Sequence, residues 1–342
     1  MKKQAFLLVT NQLTKKIVEQ YYLLKSATAD LGEVYILYHA SNGTEDKLKS
    51  YSEQLNIEVF TDDILRNIGY TPIKNALVPG SNHFPVLQFY LDHSQYSYYW
   101  SIEDDVVFNG DWKKFFNNVS THEFDFITSH IRRYSDVPDW SWWNSFKQPQ
   151  EDFDKAELVN SFNPIYRISN KALNYIHNCL ITGYSGHHEV LIATLLIRSG
   201  FKIADFSDTE NELTPTLSYC TLKTMRWVPV FLFIGFNKNK LYHPVKENLT
   251  IEQIEEYAVR TLMNKKKYHT RCKRTFKSLF RSFYKRFKKN QLYHPVKENL
   301  TIEQIEEYAV RTLLNKKEYL TNTKSTFREL FKSFFNRFFK SE

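Results

Sequence analysis

Over its first 130 residues the chain alternates short apolar runs with segments of helical periodicity, and this pattern restricts the fold more than any other feature. Residues 5–9, 33–38, 57–60, 98–102 and 124–128 read as strands. Between them, 13–29 carries Ile17, Tyr21 and Leu24 at helical spacing, and 45–55 and 84–92 also read as helices. Strands that alternate with helices pair in parallel and need helices on both sheet faces. The expected class is therefore α/β, with a mainly parallel sheet.

One of these strands ends unusually. The run 98–102 leads straight into Glu103, Asp104 and Asp105, and a second apolar triplet, 106–108, follows. Three adjacent carboxylates repel one another and are costly to bury unpaired. At a strand end, where open α/β sheets bind ligands, a divalent cation is the natural partner; a solvated acidic turn is the plainer alternative.

The three cysteines, Cys179, Cys220 and Cys272, are widely separated and form no CxxC pair, which favours isolated thiols in a reducing compartment. The apolar stretch after Lys2-Lys3 is too short for a signal-peptide core, and the run 228–236 is too short to span a bilayer. A cytosolic protein is expected.

Later segments add candidate residues. Residues 134–155 lose regular periodicity but contain Trp140, Trp142, Trp143, Phe146 and Phe153. They suit either a packed surface loop or an acceptor loop whose aromatic faces stack on a sugar ring. After a helix over 170–180, a Gly-Tyr-Ser-Gly-His-His loop opens another over 190–198, with Glu189 in its first turn. A strand is expected over 201–206.

The tail is a different kind of sequence. Residues 241–262 recur unchanged at 292–313, a period of 51. Residues 241–342 hold 23 Lys+Arg against 11 Asp+Glu, whereas 1–240 hold 23 against 27. Phe276, Leu279, Phe280, Phe283 and Phe287 fall at helical spacing among lysines and arginines. A basic amphipathic helix favours an anionic membrane surface, with packing on the body as the alternative. The acidic body offers no extended basic face for nucleic acid. The expected division is 1–240, 241–291 and 292–342.

Taken in order, the α/β half, the strand ending in Glu103-Asp104-Asp105, the loop-to-helix acid Glu189 and the downstream Tyr242-His243-Pro244 resemble the metal-dependent GT-A glycosyltransferases, especially those building bacterial surface polysaccharide or lipopolysaccharide. The resemblance covers about residues 1–246 and implies a Rossmann-like mixed sheet with a helical C-terminal extension. It implies Mn2+ or Mg2+ held by Asp105 and His243 against the diphosphate of a nucleotide-sugar donor. Glu stands at the first position of the usual Asp-x-Asp, so Glu103 is assigned to the donor or to a water-mediated metal contact. His294, in identical local sequence, is the alternative to His243.

The same resemblance makes Glu189 the base that deprotonates the acceptor hydroxyl, with inversion. Thr10, Asn11, Asp62, Asn82 and Asp104 are further donor candidates. Trp140, Trp142 and His188 are acceptor candidates, and His187 or His188 suits acceptor or phosphate. The implied enzyme works at the inner face of the cytoplasmic membrane on a glycan or glycolipid. The alternatives are a non-catalytic membrane-associated scaffold and a nucleotidyltransferase, though no Gly-rich phosphate loop follows the first strand.

Overall fold

A computed structural model describes residues 3–40, 54–149, 153–209, 212–222, 224–227 and 238–245. The chain divides into two units, Met1–Val245 and Lys246–Glu342, and every described residue belongs to the first. Residues 45–53 of the expected helix over 45–55, the apolar run 228–236, the basic amphipathic segments and His294 lie outside the described residues, and residues 54 and 55 form a turn and a bend.

The strands are β1 (Gln4–Thr10), β2 (Gly32–His39), β3 (Ile57–Phe60), β4 (Tyr98–Glu103), β5 (Val107–Phe108), β6 (Phe126–Arg133), β7 (Val159–Ser169), β8 (Ile203–Ser207), β9 (Thr216–Cys220) and β10 (Leu241–Tyr242). Eight form one sheet in the order β3-β2-β1-β4-β7-β6-β8-β9. All its pairings are parallel except those of β7, which runs antiparallel to both β4 and β6. β5 and β10 form a separate antiparallel pair. The mixed, mainly parallel sheet flanked by helices expected for a Rossmann-like GT-A architecture is present.

The helices are α1 (Lys15–Ala27), α2 (Ile64–Asn67), α3 (Phe84–Asp92), α4 (Trp112–Ser120), α5 (Asn170–Ile181) and α6 (His188–Arg198). Thr14 caps α1, and its buried residues Ile17, Tyr21, Leu24 and Ala27 form one stripe. On β1, Ala5 and Leu7 enter one core while Phe6 and Leu8 enter the other. Alternate side chains of a strand point to opposite faces, so both faces of the sheet are covered.

Several elements are not foreseen from the sequence, α4 and β7 the longest among them. In α4, Asp111 accepts from the Lys113 and Lys114 amides, and Trp112, Phe115, Phe116 and Val119 are buried. β7 is buried almost throughout although it contains Asn160, Asn163, Pro164 and Arg167. Two of these side chains find partners from elsewhere in the chain: Thr128 Oγ1 donates to Asn163 Oδ1 at 2.7 Å, and Arg167 Nη1 donates to the Val119 carbonyl at 2.8 Å.

Candidate active site

Thr10, His39, Phe60 and Glu103 end β1, β2, β3 and β4, so the parallel pairing brings them to one rim of the sheet. Just past β4, the Val106 amide donates to the Glu103 carbonyl at 3.0 Å and closes the acidic turn. The chain continues into β5, which pairs with β10, Leu241 opposite Phe108 and Tyr242 opposite Val107. That pairing delivers His243 to the turn. The Val245 amide then donates to the Asp105 carbonyl at 2.9 Å.

His243 Nε2 lies 3.2 Å from Glu103 Oε2 and 3.2 Å from Asp105 Oδ1. Its Nδ1 donates to the Arg226 carbonyl at 3.0 Å, which turns Nε2 toward the carboxylates. A ligand atom from each of Glu103, Asp105 and His243 lies within 4.8 Å of the other two. Two carboxylates and an imidazole suit Mn2+ or Mg2+, and the carbonyl behind the ring is the usual outer support of a metal-bound histidine. Burial alone would make the imidazole less basic, but hydrogen bonds and charge from Asp105 and Glu103 outweigh it, raising its pKa to about 9. Without a cation, the pocket draws in a proton instead.

Glu189 approaches from the other side. β7 runs antiparallel to β4 with Ile102 opposite Ile165, so Asn163 comes level with the acidic turn. Ser161 Oγ donates to the Glu189 carbonyl at 3.3 Å and fastens the start of α6 to β7. The Glu189 carboxyl is pushed up to about 8, first by burial and then by repulsion from Glu103. The Asn163 amide, Arg132 and His243 pull the other way. His187 caps α6 by accepting from the Glu189 amide at 3.3 Å.

Glu103, Asp105, His243 and Glu189 therefore converge. Glu103 shares the cation cluster equally with Asp105, which the sequence reading did not assign to it. Asp104 turns toward β1, where Thr10 Oγ1 donates to its Oδ2 at 2.6 Å. Asn11 is exposed just after β1. Asp62 pairs with His39 at 3.1 Å beside the tips of β2 and β3. Three interstrand spacings separate β3 from β4, about 14 Å. Asn82 Oδ1 accepts from the Gly80 amide at 3.3 Å in the turn before α3.

The acceptor candidates form a ring column. Trp142 stacks on His187 at 4.7 Å, His187 on His188 at 4.8 Å, and His188 on His83 at 6.4 Å. Lys74 covers Trp142 at 5.1 Å, and Trp140 meets His187 edge-on at 5.7 Å. His187 and Lys74 both lie against the Trp142 ring, which is half-buried. Burial lowers His187 to about 4 and, with His187 beside it, His83 to about 3. Burial, then His187 and His83, also lowers His188 well below its ordinary value. The column is uncharged at neutral pH, an apolar wall rather than a phosphate cradle. Pro72, Ile73, Trp142, Ser145, Lys147 and Ser185 line a cavity of about 290 Å³ beside it.

No family model and no curated protein matches this sequence. Among solved structures, the chain is similar to a mannosyltransferase from Pyrobaculum calidifontis in complex with GDP-Man and Mn2+, at 12% identity and TM-score 0.35, covering 64% of this chain and 57% of that one. It is also similar to 4-diphosphocytidyl-2C-methyl-D-erythritol synthase from Anaerococcus prevotii, at 9% identity and TM-score 0.36, covering 59% and 87%. A protein assigned as a glucose-1-phosphate thymidylyltransferase from Bacillus anthracis gives 12% identity and TM-score 0.30, covering 51% and 74%. Likeness this distant carries nothing about substrate or residue roles.

The site's protonation makes a prediction. His243 holds its proton below about 9 and Glu189 below about 8, so a cation entering at pH 7 meets two protonated groups. Metal ligands must be deprotonated, and a nearby positive charge favours the ionised carboxylate. Mn2+ affinity should therefore fall as pH drops, by about tenfold per unit for each proton released. Calorimetry at pH 7 in buffers of different ionisation enthalpy should count more than one proton released per Mn2+. A count of zero would refute the cluster as the metal site.

Proposed function

We propose that this protein is a divalent-metal-dependent glycosyltransferase, moving a sugar from a nucleotide-diphosphate donor to a hydroxyl of a glycan or glycolipid with inversion. The observation supporting this most is a half-buried acid tuned to about 8, Glu189, beside the Glu103–Asp105–His243 cluster. A general base works best with a pKa near the operating pH. Glu189 would take the acceptor hydroxyl proton as that oxygen bonds to the anomeric carbon. The bond from that carbon to the diphosphate breaks, and the nucleoside diphosphate leaves. Glu103, Asp105 and His243 would hold Mn2+ or Mg2+, which offsets the charge developing on the leaving group.

Donor contacts along the rim are part of the same reading. Asp104, tied to Thr10, would shape the floor under the diphosphate. Asp62 would contact the base or ribose, since an extended nucleoside diphosphate bridges the span from β3 to β4. Asn11 and Asn82 would approach the donor from the loops. Trp140, Trp142 and His188 would line the acceptor side.

A placement at the inner face of the cytoplasmic membrane rests on the basic, Phe-striped tail sequence alone. Among the described residues, no helix is long and apolar enough to cross a membrane. A non-catalytic scaffold gives no reason to bury an acid beside a cation cluster.

The test is a screen of nucleotide-sugars with Mn2+ and with EDTA. Metal-dependent release of a nucleoside diphosphate from one donor is expected. The absence of both hydrolysis and Mn2+-dependent nucleotide binding would sink the proposal, and pyrophosphate release from a nucleoside triphosphate with a sugar phosphate would favour a nucleotidyltransferase.

A further inference from the structure

A second buried cluster, His130, Asp205 and Cys220, also brings ligand-type atoms within 4.8 Å of one another. Its chemistry does not suit a metal. Asp205 Oδ1 accepts from the His130 amide at 3.1 Å and the Ser207 amide at 2.7 Å, and Oδ2 accepts from the Ile131 amide at 2.7 Å. Cys220 is pushed well above its ordinary pKa, first by burial and then by Asp205, and stays a thiol. His130 Nε2 donates to the Met225 carbonyl at 2.9 Å.

That last bond leads to the candidate active site. Met225 pairs in a parallel bridge with His243. The Thr224 carbonyl accepts from the His243 amide at 2.9 Å, and the Arg226 amide donates to the His243 carbonyl at 3.1 Å. The Arg226 carbonyl also orients His243 Nδ1 at 3.0 Å. The two peptide neighbours of Met225 thus fix the backbone and ring of His243, and His130 holds the carbonyl between them. Phe162 lies between the imidazoles, 6.1 Å from His130 and 5.3 Å from His243.

His130 achieves this through an uncommon backbone. Its φ of 53° lies in the left-handed region, within β6 and inside the register shift between Ser129 and Arg132 against β7. Successive amides of His130 and Ile131 wrap the Asp205 carboxylate, and this cradle sustains the conformation. A regular strand would alternate the side chain into the ladder instead.

We infer that His130 is a positioning residue for the cation site: locked by Asp205, it holds the 224–226 segment that aims His243 at Glu103 and Asp105. The inference rests on the reading of that triad as a divalent-cation site. Outer-shell partners of metal-bound histidines typically change metal affinity about ten- to a hundred-fold when removed.

The test uses His130→Asn and His130→Gln in the full chain. Asn tolerates left-handed backbone but is too short to reach Met225, whereas Gln restores an N–H at similar reach. Mn2+ binding is measured by calorimetry, and thermal melting is followed in EDTA. His130→Asn should bind Mn2+ at least tenfold more weakly while melting near the wild-type temperature, and His130→Gln should recover most of the affinity. Wild-type affinity in His130→Asn overturns the inference, as does equal weakness in both variants. A His130→Asn chain whose lost affinity equals its unfolded fraction marks the residue as merely structural and overturns it too. If the wild-type chain binds no Mn2+, the cation site itself fails and the positioning role falls with it.

Discussion

Replacing Glu189 by Gln should abolish sugar transfer while leaving donor binding intact. A general base contributes about 10²–10⁴ to rate, and Gln keeps the shape while losing proton affinity, so kcat should fall about a thousandfold. Glu189 is half-buried in the first turn of α6 and is tuned by loss of solvent and by Glu103, so its basicity depends on its setting. The nucleotide-sugar affinity, measured with Mn2+ present, should stay within a few-fold of wild type. A Glu189→Gln enzyme that transfers sugar at near the wild-type rate would exclude the residue as base. The wild-type pH profile should rise with ionisation of this acid, and a bound cation should move that rise below about 8.

The second large effect belongs to Asp105. Asp105→Ala should remove detectable Mn2+ binding and, with it, donor hydrolysis and transfer, with excess Mn2+ giving little rescue. The fold should survive, because the bond from the Val245 amide goes to the Asp105 backbone carbonyl and needs no side chain. His243 would lose one of the two carboxylates that raise its pKa, so its proton should come off at lower pH. Titration of the imidazole in the metal-free variant, read beside calorimetry, separates a broken cluster from a distorted one. Unchanged metal-dependent activity in Asp105→Ala would remove it from the metal site.

Much of this was legible in the residues. The apolar run into Glu103-Asp104-Asp105 announced a strand end, and chain order picked out Glu189 and His243. Which acid faces which partner was not legible, because turn geometry decides it. Asp104 turns to Thr10, while its neighbours on both sides face His243. β7 is hard to read because Asn160, Asn163, Pro164 and Arg167 interrupt the apolar pattern, and the partners that Asn163 and Arg167 find, Thr128 and the Val119 carbonyl, are distant in sequence. In α4 the signal existed: an Asp cap followed by apolar residues at positions 112, 115, 116 and 119. His130 carried none, since a left-handed residue inside a strand is imposed by Asp205, 75 positions away.

The protonated state of the cluster has an electrical consequence. At pH 7 without metal, His243 carries one positive charge and Glu189 none, a total of one positive charge for the pair. Exchanging the His243 and Glu189 protons for one divalent cation leaves that total unchanged. Loading and unloading are then electroneutral, and the low-dielectric rim never has to accommodate a change in net charge. On the proposed reading, two hydrogen ions would stand in the cation's place at neutral pH.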